Sequence, residues 1–262
     1  MKNVLITGAT SGIGYELSKI FYKEGYSLIL VGRNAQKLEE MKKQFIKEGK
    51  NQEIVLICQD LNEVDAAKKI YEKVRQKELE VHILINNAGA GYVGEFLKED
   101  EKQILQHIHL NMTSLTLLTR YFAEEMKKNK EGKILNVAST GSYHPGPYTA
   151  VYYATKAYVL SLSEALYEEM KDEGIHVASL CPGATKTNFA ASAGRRDTSI
   201  AMPANYVAYE AFIGLKKNKK YIVPGLKNRI WIRFPKWLAV PFIKKYQISL
   251  LKSSTDSLKN QF

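Results

Sequence analysis

Short, nearly all-apolar runs alternate with stretches of helical spacing along most of the chain, and little but a layered α/β fold accommodates that order. The expected strands are residues 3–6, 27–31, 53–57, 81–85, 133–137 and 176–180, with a short last one at 221–223. Between them, apolar residues recur at helical intervals over 12–24, 35–47, 64–76, 101–128, 150–172 and 204–215; Ile13, Leu17, Ile20 and Phe21 form one such stripe. Leu28-Ile29-Leu30-Val31 and Ile83-Leu84-Ile85 contain no polar alternate, so both faces of those strands must be covered. Strands joined through helices are parallel with right-handed crossovers. The expectation is a doubly wound, Rossmann-like parallel sheet, with one domain over residues 1–225 and an extension over 226–262. Ligands of such sheets bind beyond the carboxyl ends of the strands.

The 262 residues are 45% apolar and 25% charged, which suits a globular α/β domain with a full core. The expected chain has no signal peptide, because the first strand begins at residue 3, and no apolar run reaches the roughly 20 residues that span a bilayer. Cys58 and Cys181 each fall near a strand end and are expected to be two buried thiols in a reducing compartment, not a disulfide. A cytoplasmic location follows from these readings. The five histidines offer no metal site: His107 and His109 sit two apart in a helix, and His82 and His176 lie in or beside strands.

Gly8, Gly12 and Gly14 follow the first strand and open a helix. Glycine permits a tight turn and close backbone approach, and a helix N-terminus favours an anion, so the segment reads as a cradle for a dinucleotide pyrophosphate. The second strand ends in Val31-Gly32-Arg33-Asn34, with no acid before Glu39. An acid there would accept from a ribose 2′-hydroxyl, whereas Arg33 pairs with a 2′-phosphate and points to NADP(H). Asp60, after the third strand, has two readings: an acceptor for the adenine amino group, or a cap for the next helix. Asn86-Asn87-Ala88-Gly89 ends the fourth strand with small residues and amides able to tie strands together.

Tyr152 and Lys156 are four residues apart in an expected helix, so phenol and ammonium share a face. A nearby cation favours phenolate and makes the phenol a usable acid near neutral pH. Beside a dinucleotide site, that pair suggests proton movement coupled to hydride transfer at a carbonyl.

The order and spacing of Thr7-Gly8-x-x-x-Gly12-x-Gly14, Asp60, Asn86-Asn87-Ala88-Gly89, Asn111, Ser139, Tyr152-x-x-x-Lys156 and Pro182-Gly183 resemble the classical short-chain dehydrogenase/reductase family over roughly residues 3–224. The resemblance implies that Tyr152 exchanges a proton with the substrate oxygen, Lys156 stabilises the tyrosinate and bonds the nicotinamide ribose, Ser139 holds the carbonyl oxygen, and Asn111 positions a water. Tyr153 is set aside because residue 157 is alanine, and Ser142 because the thirteen-residue separation from Tyr152 selects Ser139. The implied cofactor contacts are Gly8, Thr10, Ser11, Gly12, Ile13, Gly14, Arg33, Asp60, Leu61, Asn86, Asn87, Ala88, Gly89, Tyr152, Lys156, Pro182, Gly183, Thr185 and Thr187. The resemblance also implies a small-molecule carbonyl or alcohol as substrate and a homodimer or homotetramer, with a mobile lid over residues 188–202.

Tyr92, Phe96, Tyr143, His144, Tyr148 and Phe189 are expected to face the substrate, which favours an apolar ketone, aldehyde or acyl chain. The net charge of +11 resides in residues 216–262, which hold twelve of the 38 Lys and Arg but one acid, Asp256. Within 226–246, Trp231, Phe234, Leu238 and Phe242 fall on one side of a helical projection and Arg229, Arg233, Lys236 and Lys244 on the other, although Pro235 and Pro241 argue against one unbroken helix. Three readings stay open: packing on the domain or a sister subunit, peripheral contact with a membrane surface, and a lid over the pocket. No recognition motif accompanies the bases, so nucleic acid is not an expected partner.

Overall fold

The computed structural model describes residues 1–47, 52–193 and 200–259. In chain order the elements are β1 (Asn3–Thr7), α1 (Gly12–Lys23), β2 (Ser27–Gly32), α2 (Ala35–Lys47), β3 (Ile54–Cys58), α3 (Ala66–Gln76), β4 (Ile83–Asn86), α4 (Glu101–Ile108), α5 (Leu115–Asn129), β5 (Gly132–Val137), α6 (Ala150–Met170), β6 (Ile175–Leu180), β7 (Thr185–Lys186), α7 (Asn188–Ser192), β8 (Met202–Pro203), α8 (Ala204–Lys216), β9 (Tyr221–Ile222), α9 (Leu226–Trp231) and α10 (Lys236–Lys259). Seven strands form a parallel sheet in the order β3-β2-β1-β4-β5-β6-β9, while β7 and β8 make a two-stranded pair of their own.

Every residue of β2 is buried, which is why its sequence shows no alternation. One face of the sheet packs Leu17 and Phe21 of α1, Leu38 and Phe45 of α2, and Val207 and Phe212 of α8. The other face packs Ile70 and Val74 of α3 with Leu118 and Phe122 of α5. In α2, Leu38, Met41 and Phe45 are the buried residues, and their spacing puts them on one stripe above the sheet. The order reverses between β1 and β4, and this switch point opens the crevice that holds the site.

Two expectations need correction here, and a third holds in part. The helix expected over 101–128 is interrupted by a π turn at His109–Ser114, where buried Asn111 and Ser114 send their side-chain hydrogen bonds into neighbouring loops. Cys58 is exposed, because β3 is an edge strand and the thiol is its last side chain. Cys181 is buried, and burial pushes its thiol up to about 12. Pro235 does separate α9 from α10, but Pro241 lies inside α10. Its position is exposed, so solvent can take the carbonyl that loses its donor.

Candidate active site

A cavity of about 980 Å³ opens at the carboxyl ends of β1, β2, β4, β5 and β6. Gly8, Thr10, Ser11, Gly12 and Ile13 form one wall. Ser11 starts α1 without a side-chain cap, which leaves the first-turn N–H groups of a twelve-residue helix at that wall. Gly12 has φ 56°, and a Cβ there would lie 2.7 Å from Thr187 Cγ2. A Cβ on Gly14, just behind the wall, would lie 2.4 Å from the Gly8 carbonyl oxygen. Any larger residue at either position would push the turn out of shape, so the backbone itself is the surface offered to a ligand.

The turn is held from β4. Asn87 Nδ2 donates to the carbonyls of Thr7 (2.9 Å) and Gly8 (3.2 Å). Thr7 Oγ1 in turn accepts from the N–H groups of Asn87 (3.0 Å) and Ala88 (3.1 Å). Asn86 lies behind the cavity, where its Nδ2 donates to Thr119 Oγ1 and Asn136 Oδ1, both at 2.9 Å, and so ties β4 to β5 and α5.

Arg33 and Lys37 line the end of the cavity next to β2. Both are exposed, and neither forms an ion pair among the described residues. Asp60 and Leu61 close the same end. Asp60 Oδ1 accepts from Asn62 N at 2.9 Å and Asn62 Nδ2 at 3.2 Å, in a turn of its own. It does not cap the following helix, because α3 begins at Ala66 with Asp65 as its N-cap. Pro182, Gly183, Thr185 and Thr187 line the side contributed by the segment after β6, where Thr185 Oγ1 donates to the Gly183 carbonyl and Thr187 Oγ1 accepts from Phe189 N.

Ser139, Tyr152 and Lys156 line the same cavity. Lys156 Nζ lies 5.9 Å from the centroid of the Tyr152 ring and donates to the Val137 carbonyl at 2.7 Å. The ammonium is buried, with 4% of the residue exposed, and burial pushes its pKa down to about 8. Ser139 sits at the end of β5, where its Oγ accepts from Gly141 N at 3.0 Å and its own N–H donates to Ser142 Oγ. Ser142 Oγ donates to the Lys156 carbonyl at 2.7 Å, so this serine ties the turn after β5 to α6. Asn111, on the π turn, is fully buried behind the wall; its Nδ2 donates to the Ala90 carbonyl (2.8 Å) and Thr155 Oγ1 (3.0 Å), and its Oδ1 accepts from Ala90 N (3.0 Å).

The expected substrate-facing aromatics divide. Tyr92 and Phe189 line the cavity, and the Phe189 ring lies 5.2 Å from that of Tyr152. Phe96 is on the surface, and Tyr143 packs toward Cys181 at 3.8 Å. Tyr148 takes φ 64° in a loop whose carbonyl holds Gly94 N. His144 is buried in its loop and does not line the cavity; its ring nitrogen Nε2 meets the Trp231 carbonyl at 3.2 Å. The missing walls come from the C-terminal extension: Asn228, Trp231, Phe242, Ile243, Tyr246 and Gln247 all line the cavity. Of the lid expected over 188–202, Asn188, Phe189, Ala193 and Ile200 line the cavity, while 194–199, with Arg195, Arg196 and Asp197, lie outside the described residues. Among the described residues no group of three His, Cys, Asp or Glu could hold a metal ion, and no helix is long and apolar enough to cross a membrane.

The chain is similar to known proteins in sequence and fold. The family model of the short chain dehydrogenases matches residues 2–198. The rat very-long-chain 3-oxoacyl-CoA reductase is 31% identical over 255 residues, covering 94% of this chain and 80% of that protein. A short-chain dehydrogenase from Sphingobium yanoikuyae, solved in complex with NADPH, is 28% identical with a TM-score of 0.82 and 95% of each chain covered. The bulky-bulky ketone specific alcohol dehydrogenase from Comamonas testosteroni is 27% identical with a TM-score of 0.78, covering 100% of this chain and 95% of that one. With its parallel sheet, glycine turn and Ser139–Tyr152–Lys156 set, this chain belongs to the short-chain dehydrogenase/reductase family of oxidoreductases.

Proposed function

We propose that the protein is an NADP(H)-dependent oxidoreductase that interconverts a carbonyl and a secondary alcohol on an apolar substrate, working mainly as a reductase. The observation that carries this reading is one cavity lined by the glycine turn, by Arg33, and by Ser139, Tyr152 and Lys156.

The residues present fit a dinucleotide. A side chain at Gly12 would meet Thr187 and one at Gly14 the Gly8 carbonyl, so the turn stays bare and tight, and the open first turn of α1 offers N–H groups to a pyrophosphate. Arg33, with Lys37 beside it, would take a 2′-phosphate, and no carboxylate stands at the end of β2 to compete. Asp60 would face the adenine; Thr185 and Thr187 would hold the nicotinamide side. When bound, the nicotinamide supplies or accepts the hydride. Tyr152 gives the substrate oxygen its proton during reduction, and Ser139 holds that oxygen by a hydrogen bond. The Lys156 ammonium favours the tyrosinate left behind, and its low pKa lets it relay a proton near neutral pH. Asn111 sits one hydrogen bond from the Ala90 backbone and would steady the water that links Lys156 to solvent.

A second reading within the same chemistry is a 3-oxoacyl or other lipid-linked carbonyl reductase at a membrane surface. Relatives named very-long-chain 3-oxoacyl-CoA reductase and the basic, aromatic extension support it. A reading outside catalysis, an NADP(H)-responsive binding protein, has the intact Ser139–Tyr152–Lys156 set against it. A homodimer or homotetramer in the cytoplasm, with peripheral membrane contact through 226–246, completes the proposal.

The test is oxidation of NADPH and of NADH with apolar aldehydes, ketones and 3-oxoacyl thioesters. Turnover at least about 10-fold more efficient with NADPH supports the reading, since an arginine–phosphate contact is worth that much. Tight NADPH binding with no turnover across the panel would move the weight to the binding protein.

A further inference from the structure

The extension has two unlike sides. Inward, Ala239, Ile243 and Gln247 recur every fourth residue of α10 and are buried, while the Trp231 carbonyl is held by His144. That side is fastened to the body of the protein. Outward, Leu226 is 71% exposed, Trp237 76% and Phe242 61%, and Ile230 and Phe234 are exposed as well. Lys227, Arg233, Lys236, Lys244 and Lys245 are exposed among them, and none forms an ion pair among the described residues. Asp256 is the one acid of residues 216–262. Five large apolar side chains left in water within residues 226–242 are more than a chance scatter on a monomer's surface.

The charge decides what covers this face. A second copy meeting it through a two-fold axis would set two all-basic patches against each other. An anionic bilayer offers the complement of both components: acidic headgroups for the lysines and arginines, and an acyl boundary for Trp237, Leu226 and Ile230. Phe242 is exposed and also lines the cavity, so the patch and the cavity share a rim.

We infer that the α9–α10 face docks the protein on an anionic membrane surface with the cavity rim against the lipid, so that a membrane-partitioned carbonyl enters from the bilayer. Substrate entry rests on the carbonyl reductase reading; docking does not.

Docking is therefore measured without turnover, by co-sedimenting the full chain with phosphatidylcholine vesicles, with and without roughly one third phosphatidylserine. The expected result is binding to the anionic vesicles only, weakened at least 10-fold by ~0.5 M salt, with a blue shift of tryptophan emission that Trp237→Phe removes. Trp237→Glu and, separately, the pair Lys227→Glu with Lys236→Glu should each lower vesicle partition at least ~10-fold. Both lie off the cavity wall, so turnover of a water-soluble ketone should be unchanged and would show that the variants are folded. Anionic vesicles should raise turnover of a vesicle-partitioned long-chain ketone in the wild type and not in Trp237→Glu. No sedimentation with anionic vesicles, equal binding to neutral ones, or undiminished binding by both variants would overturn docking. A concentration-dependent dimer abolished by Trp237→Glu, without vesicle binding, would assign the face to a second copy. Docking that leaves long-chain turnover unaffected would overturn lipid-side entry alone, whereas docking with no turnover of any carbonyl would leave the docking inference standing and sink the activity.

Discussion

Replacing Lys156 with methionine should abolish turnover and make the protein more stable at pH 7. Lysine's ordinary pKa of 10.5 is pushed down to about 8 here by burial alone, with no carboxylate to compensate. That difference corresponds to a penalty of about 3 kcal/mol on the charged form in the folded state. Methionine keeps the apolar stem but leaves the Val137 carbonyl without its donor, a loss of about 1–2 kcal/mol. The net gain at pH 7 is about 1–2 kcal/mol. The sign with pH follows from the depressed value. Between about 8 and 10.5 the unfolded chain binds more protons than the folded one, so wild-type stability rises with pH through that window. The advantage of Lys156→Met is full below about 8 and fades as pH approaches 10.5. Urea unfolding of both proteins at pH 7 and pH 9.5 measures this, with turnover assayed on the same samples. A variant less stable than wild type at pH 7, or a difference that does not move with pH, would refute the reasoning.

Other expected outcomes concern single contacts. Arg33→Ala should raise the KM or Kd for NADPH at least about 10-fold and leave that for NADH nearly unchanged, as read by cofactor fluorescence titration. Gly12→Ala should weaken binding of both cofactors, because its Cβ meets Thr187 Cγ2 at 2.7 Å with φ 56°; equal affinity would show that the turn can relax. Gln247→Leu should be neutral or stabilising by up to about 1 kcal/mol in urea, because buried Gln247 Oε1 has no hydrogen-bond partner in the structure. Asn86→Leu should cost about 2–3 kcal/mol, since it breaks two buried hydrogen bonds between β4 and its neighbours and strands their partners.

The sheet was legible because fully buried strands such as 27–32 carry their burial in composition alone. Gly12, Tyr152 and Lys156 were legible for a different reason: their chemistry requires fixed spacing, and the structure gathers them around one cavity. The π turn at His109–Ser114 was not visible, because one extra residue scarcely disturbs a helical apolar pattern. The exposure of Cys58 has no local signal, because strand order, and hence which strand is an edge, is a tertiary property. The extension was the hardest part. A projection through 226–246 groups Trp231, Phe234, Leu238 and Phe242, but the break at Pro235 resets the helical phase, so Ala239, Ile243 and Gln247 turn inward instead. The contribution of Ile243 and Gln247 to the cavity wall had one sequence signal, a polar Gln247 four residues from apolar Ile243, and that signal is weak alone.

The most direct test of the central claim, proton exchange by Tyr152 in a cavity that holds NADP(H), is a comparison of Tyr152→Phe with wild type in one preparation. NADPH binding and carbonyl-dependent NADPH oxidation would both be recorded. The expected result is NADPH affinity within about 3-fold of wild type and turnover lower by at least about 100-fold, the usual size of a lost general acid. Turnover that survives the loss of the phenol within about 10-fold would contradict the assignment of the acid and the mechanism built on it.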